Sequence, residues 1–214
     1  RDSRWGRIAE SPGEDPFLAA NLSKAYVKGF QGDSLNDPTS MIACAKHFIG
    51  YGAGIGGRDY NTAVISEAQL HNIYLPPFKS AVKAGSQTFM TAFNEMNGIP
   101  ASGDKRLLTN ILRDDLGFDG FVVSDWDSVK EMIPHGFATD LKHAAEISLN
   151  AGLNMEMTSK GFEKYTKELL EEGKLTETQI NSLVADILRV KLRMDLFQNP
   201  YRVDKSDNLY ADEH

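Results

Sequence analysis

Three stretches end an apolar run on a side chain that can do chemistry. Phe121-Val122-Val123-Ser124-Asp125-Trp126-Asp127 delivers a carboxylate straight after a β-type run. Ile42-Ala43-Cys44-Ala45-Lys46-His47-Phe48 delivers a cation and an imidazole, and Phe89-Met90-Thr91-Ala92-Phe93-Asn94 delivers an amide. Parallel α/β folds build their active sites at the carboxyl ends of strands, so polar residues that interrupt a strand there come first. A carboxylate near a lysine stays ionised because the opposite charge favours the charged form, and ionised is the state a nucleophile needs. On the residues alone, each stretch keeps a second reading. Asp125 can cap the segment that follows, in competition with Ser124 and Asp127. Lys46-His47 can be an inward ion pair at a barrel mouth, or a site for phosphate or carboxylate.

The elements that must position these residues alternate. Strand patterns fall at 41–48, 88–94, 120–125 and 153–157, and amphipathic helical patterns at 15–30, 66–84, 105–116 and 139–150. That alternation predicts βα units around a parallel sheet. Ser66-Glu67-Ala68-Gln69 and Thr176-Glu177-Thr178-Gln179 fit the capping box, and Gly85, Gly117 and Gly152 fall just past helical runs, where a left-handed cap favours glycine. Two further helices, 162–172 and 177–196, follow with no strand between them. Four strands are half of a closed (β/α)8 barrel, which takes about 250 residues. The expected fold class is therefore α/β, an incomplete TIM-type barrel lacking its early strands, with an open α/β sheet as the other choice.

Composition narrows the functions. With 214 residues and 41% hydrophobic content, the chain can bury one sizeable core. A net charge of -7 with dispersed basic residues offers no phosphate-binding stripe, which argues against nucleic acid as a partner. No apolar run reaches the ~18 residues of a bilayer span, so no membrane partner is expected. The single cysteine, Cys44, sits in an apolar run and is expected to be a small buried hydrophobe. Gly52-Ala53-Gly54-Ile55-Gly56-Gly57 fits a dinucleotide-loop pattern, but the next helix begins only near Ser66, which favours a glycine-rich active-site loop. His71, His135 and His143 lack metal-ligand spacing, so no metal is expected. Met155 and Met157 alternate with Asn154 and Glu156, which predicts that one pair faces the core and the other faces outward. The start, Arg1-Asp2-Ser3-Arg4-Trp5-Gly6-Arg7, reads as cut from something larger.

Several motifs then fall in one order. Arg4-Trp5-Gly6-Arg7 with Glu10, Gly13-Glu14-Asp15-Pro16, Lys46-His47-Phe48, Gly56-Gly57-Arg58-Asp59-Tyr60-Asn61, Leu75-Pro76-Pro77-Phe78, Asn94-Glu95-Met96-Asn97-Gly98, Gly117-Phe118-Asp119-Gly120 and Val123-Ser124-Asp125-Trp126 together resemble the catalytic barrel of family 3 glycoside hydrolases of the β-glucosidase type. The resemblance runs from Arg1 to about Arg202. It implies barrel sequence over 1–198 and the start of an interdomain linker at 199–214. It also implies a retaining exo-β-glycosidase, foremost a β-glucosidase, that uses no cofactor and acts on a small carbohydrate, with xylosidase and arabinosidase activities sharing the motifs. A non-catalytic carbohydrate-binding fragment is the alternative from another class.

Carried over residue by residue, the resemblance makes Asp125 the nucleophile and places Arg7, Lys46 and His47 on hydroxyls of the bound sugar. Trp126 shapes the sugar-binding wall, and Met90 is a further wall position. Phe93 stands where many relatives have Tyr, which removes one hydrogen bond to the nucleophile. The family's acid/base usually comes from a loop of a following C-terminal domain. Glu131, six residues after Asp125, is the local candidate, although a Glu one turn past a helix start is commonly a dipole-favoured surface group; Glu156 ranks below it. Members are often exported, so the resemblance implies a periplasmic or secreted setting, while the residues themselves name no compartment.

Overall fold

A computed structural model describes residues 2–201, and positions 202–214, most of the expected linker, lie outside the described residues. The chain opens through a short 3-10 turn into α1 (Pro16–Gln31), whose first turn is capped by the Asp15 carboxylate on the Phe17 amide. Next come β1 (Cys44–Phe48), a glycine-rich loop, α2 (Glu67–Gln69), a π turn over Leu70–Tyr74 and α3 (Leu75–Lys83). β2 (Thr88–Thr91) leads into a hairpin of β3 (Glu95–Met96) and β4 (Ile99–Pro100), then a π-helix at Arg106–Asp115 and β5 (Phe121–Trp126). The chain finishes through α4 (Leu141–Ala151), β6 (Met155–Met157), α5 (Gly161–Glu171) and α6 (Glu177–Arg193).

The four expected strands pair in parallel in the order β1-β2-β5-β6, an open arc of an incomplete barrel. Both capping boxes form, at Ser66–Gln69 and Thr176–Gln179, and Gly85, Gly117 and Gly152 take positive φ. The single helix expected over 66–84 runs as α2, the π turn and α3 in direct succession, with Pro76 and Pro77 just after the π turn.

Register explains which face is core. Ala45, Phe89 and Val122 lie side by side across three strands, and Phe89 and Val122 are fully buried. Phe89 sits edge-on to Phe48 and to Phe118, with ring centroids 5.7 and 4.7 Å apart. Side chains alternate along a strand, so the neighbouring row points the other way: Met90, Val123 and Met155 are in register and only partly covered. Cys44 belongs to this second face and is exposed. The expectation of a buried Cys44 is therefore wrong. β1 is an edge strand, and among the described residues Cys44 lines an open groove of about 720 Å³ along that edge, walled also by residues of α1 and α3.

The same alternation settles the last strand. Asn154 and Glu156 turn to the helices, while Met155 is partly exposed on the open face. Asn154 is a buried hub: its Oδ1 accepts from Val122 N at 2.8 Å and from Arg113 Nη2 at 2.7 Å, and its Nδ2 donates to Leu183 O and Asp186 Oδ2, each at 3.0 Å. Arg113 and Asp186 pair directly at 3.0 Å. One amide thus joins β5, the π-helix and α6, and full pairing is what makes such a polar group tolerable in a core.

A clamp fixes the loop above the sheet. Ala63 N donates to Glu95 O and Asn97 N to Ala63 O, both at 2.9 Å, while the Asn97 side chain accepts from Ile65 N at 3.0 Å and donates to Ile65 O at 2.8 Å. Asn97 (φ 54) and Gly98 (φ 88) are the two left-handed residues that a tight hairpin turn demands.

Candidate active site

Asp125 sits one residue from the end of β5, where the sheet stops and side chains project past the core. Its Oδ1 accepts from the Trp126 amide at 2.7 Å, and its Oδ2 lies 3.1 Å from His47 Nε2, with the two side chains 12% and 8% exposed. Burial pushes the Asp125 carboxyl up. His47, the Trp126 amide and the charge of Lys46 outweigh that and hold it below the ordinary range. Ser124 braces this strand end: its hydroxyl accepts from Met157 N at 2.8 Å and donates to Asp125 O at 2.9 Å. The helix-cap alternative for Asp125 fails, because its side chain takes only the adjacent amide and the short 3-10 turn Lys130–Met132 carries no side-chain cap.

Arg7 is brought in by the N-terminal segment. Its guanidinium grips Glu10 through two 2.7 Å bonds and donates to Tyr51 Oη at 3.3 Å, and its Nη2 stands 3.5 Å from His47 Nε2. Lys46 is exposed beside His47 on β1. Gly57 explains why the N-terminal segment can lie so close. A Cβ there would meet Arg4 Cβ at 2.7 Å and Trp5 N at 2.8 Å, so only glycine lets the loop pass. The loop carries two 3-10 turns and no helix start, in line with the active-site reading of its glycines.

An aromatic wall adjoins the carboxylate. The Tyr51 ring lies 4.9 Å from Trp5, 5.0 Å from His47 and 5.6 Å from Phe93, and Tyr60 lies 4.4 Å from Phe93. Trp5 Nε1 donates to Asp59 Oδ1 at 2.8 Å. Burial pushes the Tyr51 phenol well above its usual range, with Arg7 pulling down and Asp59 pushing up. Phe93 is buried as part of this wall, Met90 is half-buried on the open face of β2, and Trp126 is 62% exposed at the end of β5.

Glu131 is half-buried on the 3-10 turn after β5. Its carboxyl is pushed up by burial and then by the charges of Asp127 and Asp125, and its Oε2 is enclosed without a hydrogen-bond partner among the described residues. Glu156 is committed elsewhere: its oxygens accept from Gly161 N at 2.9 Å and Phe162 N at 2.6 Å, so it caps α5 and leaves the list of proton donors.

The structure thus brings Asp125, His47 and Arg7 together. Sequence reasoning gave no role to Trp5, Tyr51, Asp59 or Tyr60, although Trp5, Asp59 and Tyr60 stood inside the quoted motifs. The signal available was three aromatic residues, Trp5, Tyr51 and Tyr60, in glycine-rich segments with no apolar period to bury them.

Comparison with known proteins places this arrangement. The model of the glycosyl hydrolase family 3 N terminal domain matches residues 1–190. A periplasmic β-glucosidase of Salmonella typhimurium is 42% identical over 94% of the chain, and a probable β-D-xylosidase 7 of Arabidopsis thaliana is 37% identical over 92%. The chain spans 26% and 27% of the length of those two relatives. The crystal structure of a β-glucosidase from Listeria innocua in complex with glucose superposes with a TM-score of 0.95 at 44% identity, covering 99% of this chain and 30% of that one. On this match over most of its length, the chain belongs to glycosyl hydrolase family 3, as part of its N-terminal barrel domain.

Proposed function

We propose that the chain forms part of a retaining exo-β-glycosidase, a β-glucosidase that releases terminal β-D-glucosyl residues through a glycosyl-enzyme on Asp125. The observation that carries this reading is the contact between Asp125 and His47, which favours the ionised carboxylate and anchors it, buried, at the end of a barrel strand. In a retaining mechanism one carboxylate attacks the anomeric carbon while a second carboxyl, about 5 to 5.5 Å away, protonates the leaving oxygen; water then resolves the intermediate. Asp125 supplies the attacking carboxylate. Arg7, Lys46 and His47 take hydroxyls of the sugar, and Met90, Phe93 and Trp126 wall the pocket. The proton donor is assigned to a loop of a following domain in a longer polypeptide, with Glu131 as the local alternative because its carboxyl is biased towards the protonated state. In this reading residues 1–198 are barrel, 199–214 begin a linker, and the protein works outside the cytoplasm, as the word "periplasmic" in the Salmonella relative's name suggests.

A second reading, a β-xylosidase, is favoured by the Arabidopsis relative. Both are tested by hydrolysis of aryl β-glucoside, β-xyloside and α-arabinoside by the full-length protein with Asp125→Ala as control. Cleavage of the glucoside that the substitution abolishes is the expected result. Cleavage of the xyloside alone selects the second reading, and no cleavage of any of the three favours a binding role.

A further inference from the structure

Tyr60 is the residue of the site whose backbone is hardest to explain by packing. It holds φ at 58°, a left-handed conformation that a bulky aromatic residue seldom adopts. Strain of this kind persists where the surroundings impose it, and it concentrates at ligand sites. Burial gives no return for it here, because Tyr60 is 43% exposed. What the conformation does achieve is to set the ring against Phe93 at 4.4 Å and 53°, leaving one aromatic surface open.

The position of that surface divides the site in two. Arg7 Nη2, His47 Nε2 and Asp125 Oδ2 form a polar chain with links of 3.5 and 3.1 Å, suited to a hydroxyl-rich ring. Tyr51 stands between, its ring 5.0 Å from His47 on one side and 5.6 Å from Phe93 on the other. Tyr60 lies on the far side, its ring centroid 6.3 Å from that of Tyr51. We infer that Tyr60, braced by Phe93, is the platform for the leaving group, stacking the apolar face of the second sugar of a β-linked disaccharide or the ring of an aryl glycoside. This rests on the glycosidase reading and adds to it a residue that sets selectivity for what is cut away. It also gives the Phe at position 93 a use: with no hydroxyl to satisfy, that side chain is free to back the Tyr60 ring through carbon alone.

The test is binding without turnover, by calorimetry on the full-length protein carrying Asp125→Ala, with glucose and with cellobiose. Adding Tyr60→Ala is expected to weaken cellobiose roughly fivefold to tenfold, the size of one lost aromatic contact, while glucose binds within about twofold. Tyr60→Phe, which keeps the ring and drops the hydroxyl, is expected to restore cellobiose affinity and to exclude a folding defect as the cause. Equal weakening of both sugars, or no change in either, overturns the platform and leaves the role of Asp125 standing. If neither sugar binds the Asp125→Ala protein while wild type cleaves glucoside, the platform also falls. If wild type cleaves no glycoside at all, it is the glycosidase reading that fails.

Discussion

His47 Nε2 and Asp125 Oδ2 meet at 3.1 Å although their strands are not neighbours: β1 and β5 flank β2, so the contact spans two inter-strand spacings. Adjacent strands lie about 4.8 Å apart, which makes this a bridge of roughly 10 Å built by side chains reaching over the end of β2. The pair therefore reports on the curvature of the sheet, and small changes in any of the three strands move it.

Removing the imidazole tests the bridge. His47 and Lys46 help hold the Asp125 carboxyl below its ordinary range. His47→Asn is expected to let that pKa rise, moving the acidic limb of the kcat/KM profile to higher pH. The sign for folding agrees: a carboxyl depressed in the folded state adds stability above its unfolded pKa and loses it as pH falls through its folded pKa. The variant should thus lose less stability on acidification than wild type. An acidic limb that stays in place would assign the limb to another group.

Asp125→Ala should lower kcat by roughly 10⁴-fold or more, the scale for loss of a covalent nucleophile. Azide added to the variant should restore partial turnover and give a product of inverted configuration, read by NMR of the anomeric proton. Without that rescue, the attacking role passes to another carboxylate.

Glu131 carries a raised carboxyl, first from burial and then from Asp127 and Asp125. A group whose folded pKa is raised contributes stability below its unfolded value and loses it as pH rises through the folded one. Glu131→Gln should therefore match wild type at pH 4 and melt about 2 °C higher at pH 8, followed by differential scanning calorimetry. Its kcat is expected to fall less than tenfold. A loss of about 10²-fold or more would identify Glu131 as the proton donor.

Asn154 is where stability concentrates. Asn154→Ala removes the acceptor of the Val122 amide and one bond each from Arg113 and Asp186, which keep each other as partners, and a cost of about 2 to 4 kcal/mol is expected in urea denaturation. Asn154→Asp should also destabilise, because a carboxylate cannot donate to Leu183 O.

The frame of the fold was legible because each strand is an apolar run that stops at a polar or glycine boundary, and each stop glycine takes the positive φ its position predicted. The hairpin escaped notice because its strands are two residues each and one contains Pro100, although Asn97-Gly98 is a strong turn signal. Asp125 and His47 could be singled out by motif and by their place at strand ends, and Arg7 by motif alone. Tyr51 and Tyr60 carried a weaker signal, since loop side chains follow no period and only their place in glycine-rich segments sets them apart. Cys44 misled for a related reason: an apolar run shows that a strand is present, but not whether both of its faces are covered.

The clamp between the loop and the hairpin limits how the site can move. Tyr51, Asp59 and Tyr60 hang from a segment tied at Ala63 and Ile65 to Glu95 and Asn97, and Phe93 and Asn94 lead directly into that hairpin. Kinematically these side chains ride on one body. Any opening of the pocket must swing loop and hairpin together about the ends of β1 and β2, so the aromatic wall arrives at and leaves a ligand as a unit, and relaxation measurements on Tyr51 and Phe93 should give one common rate.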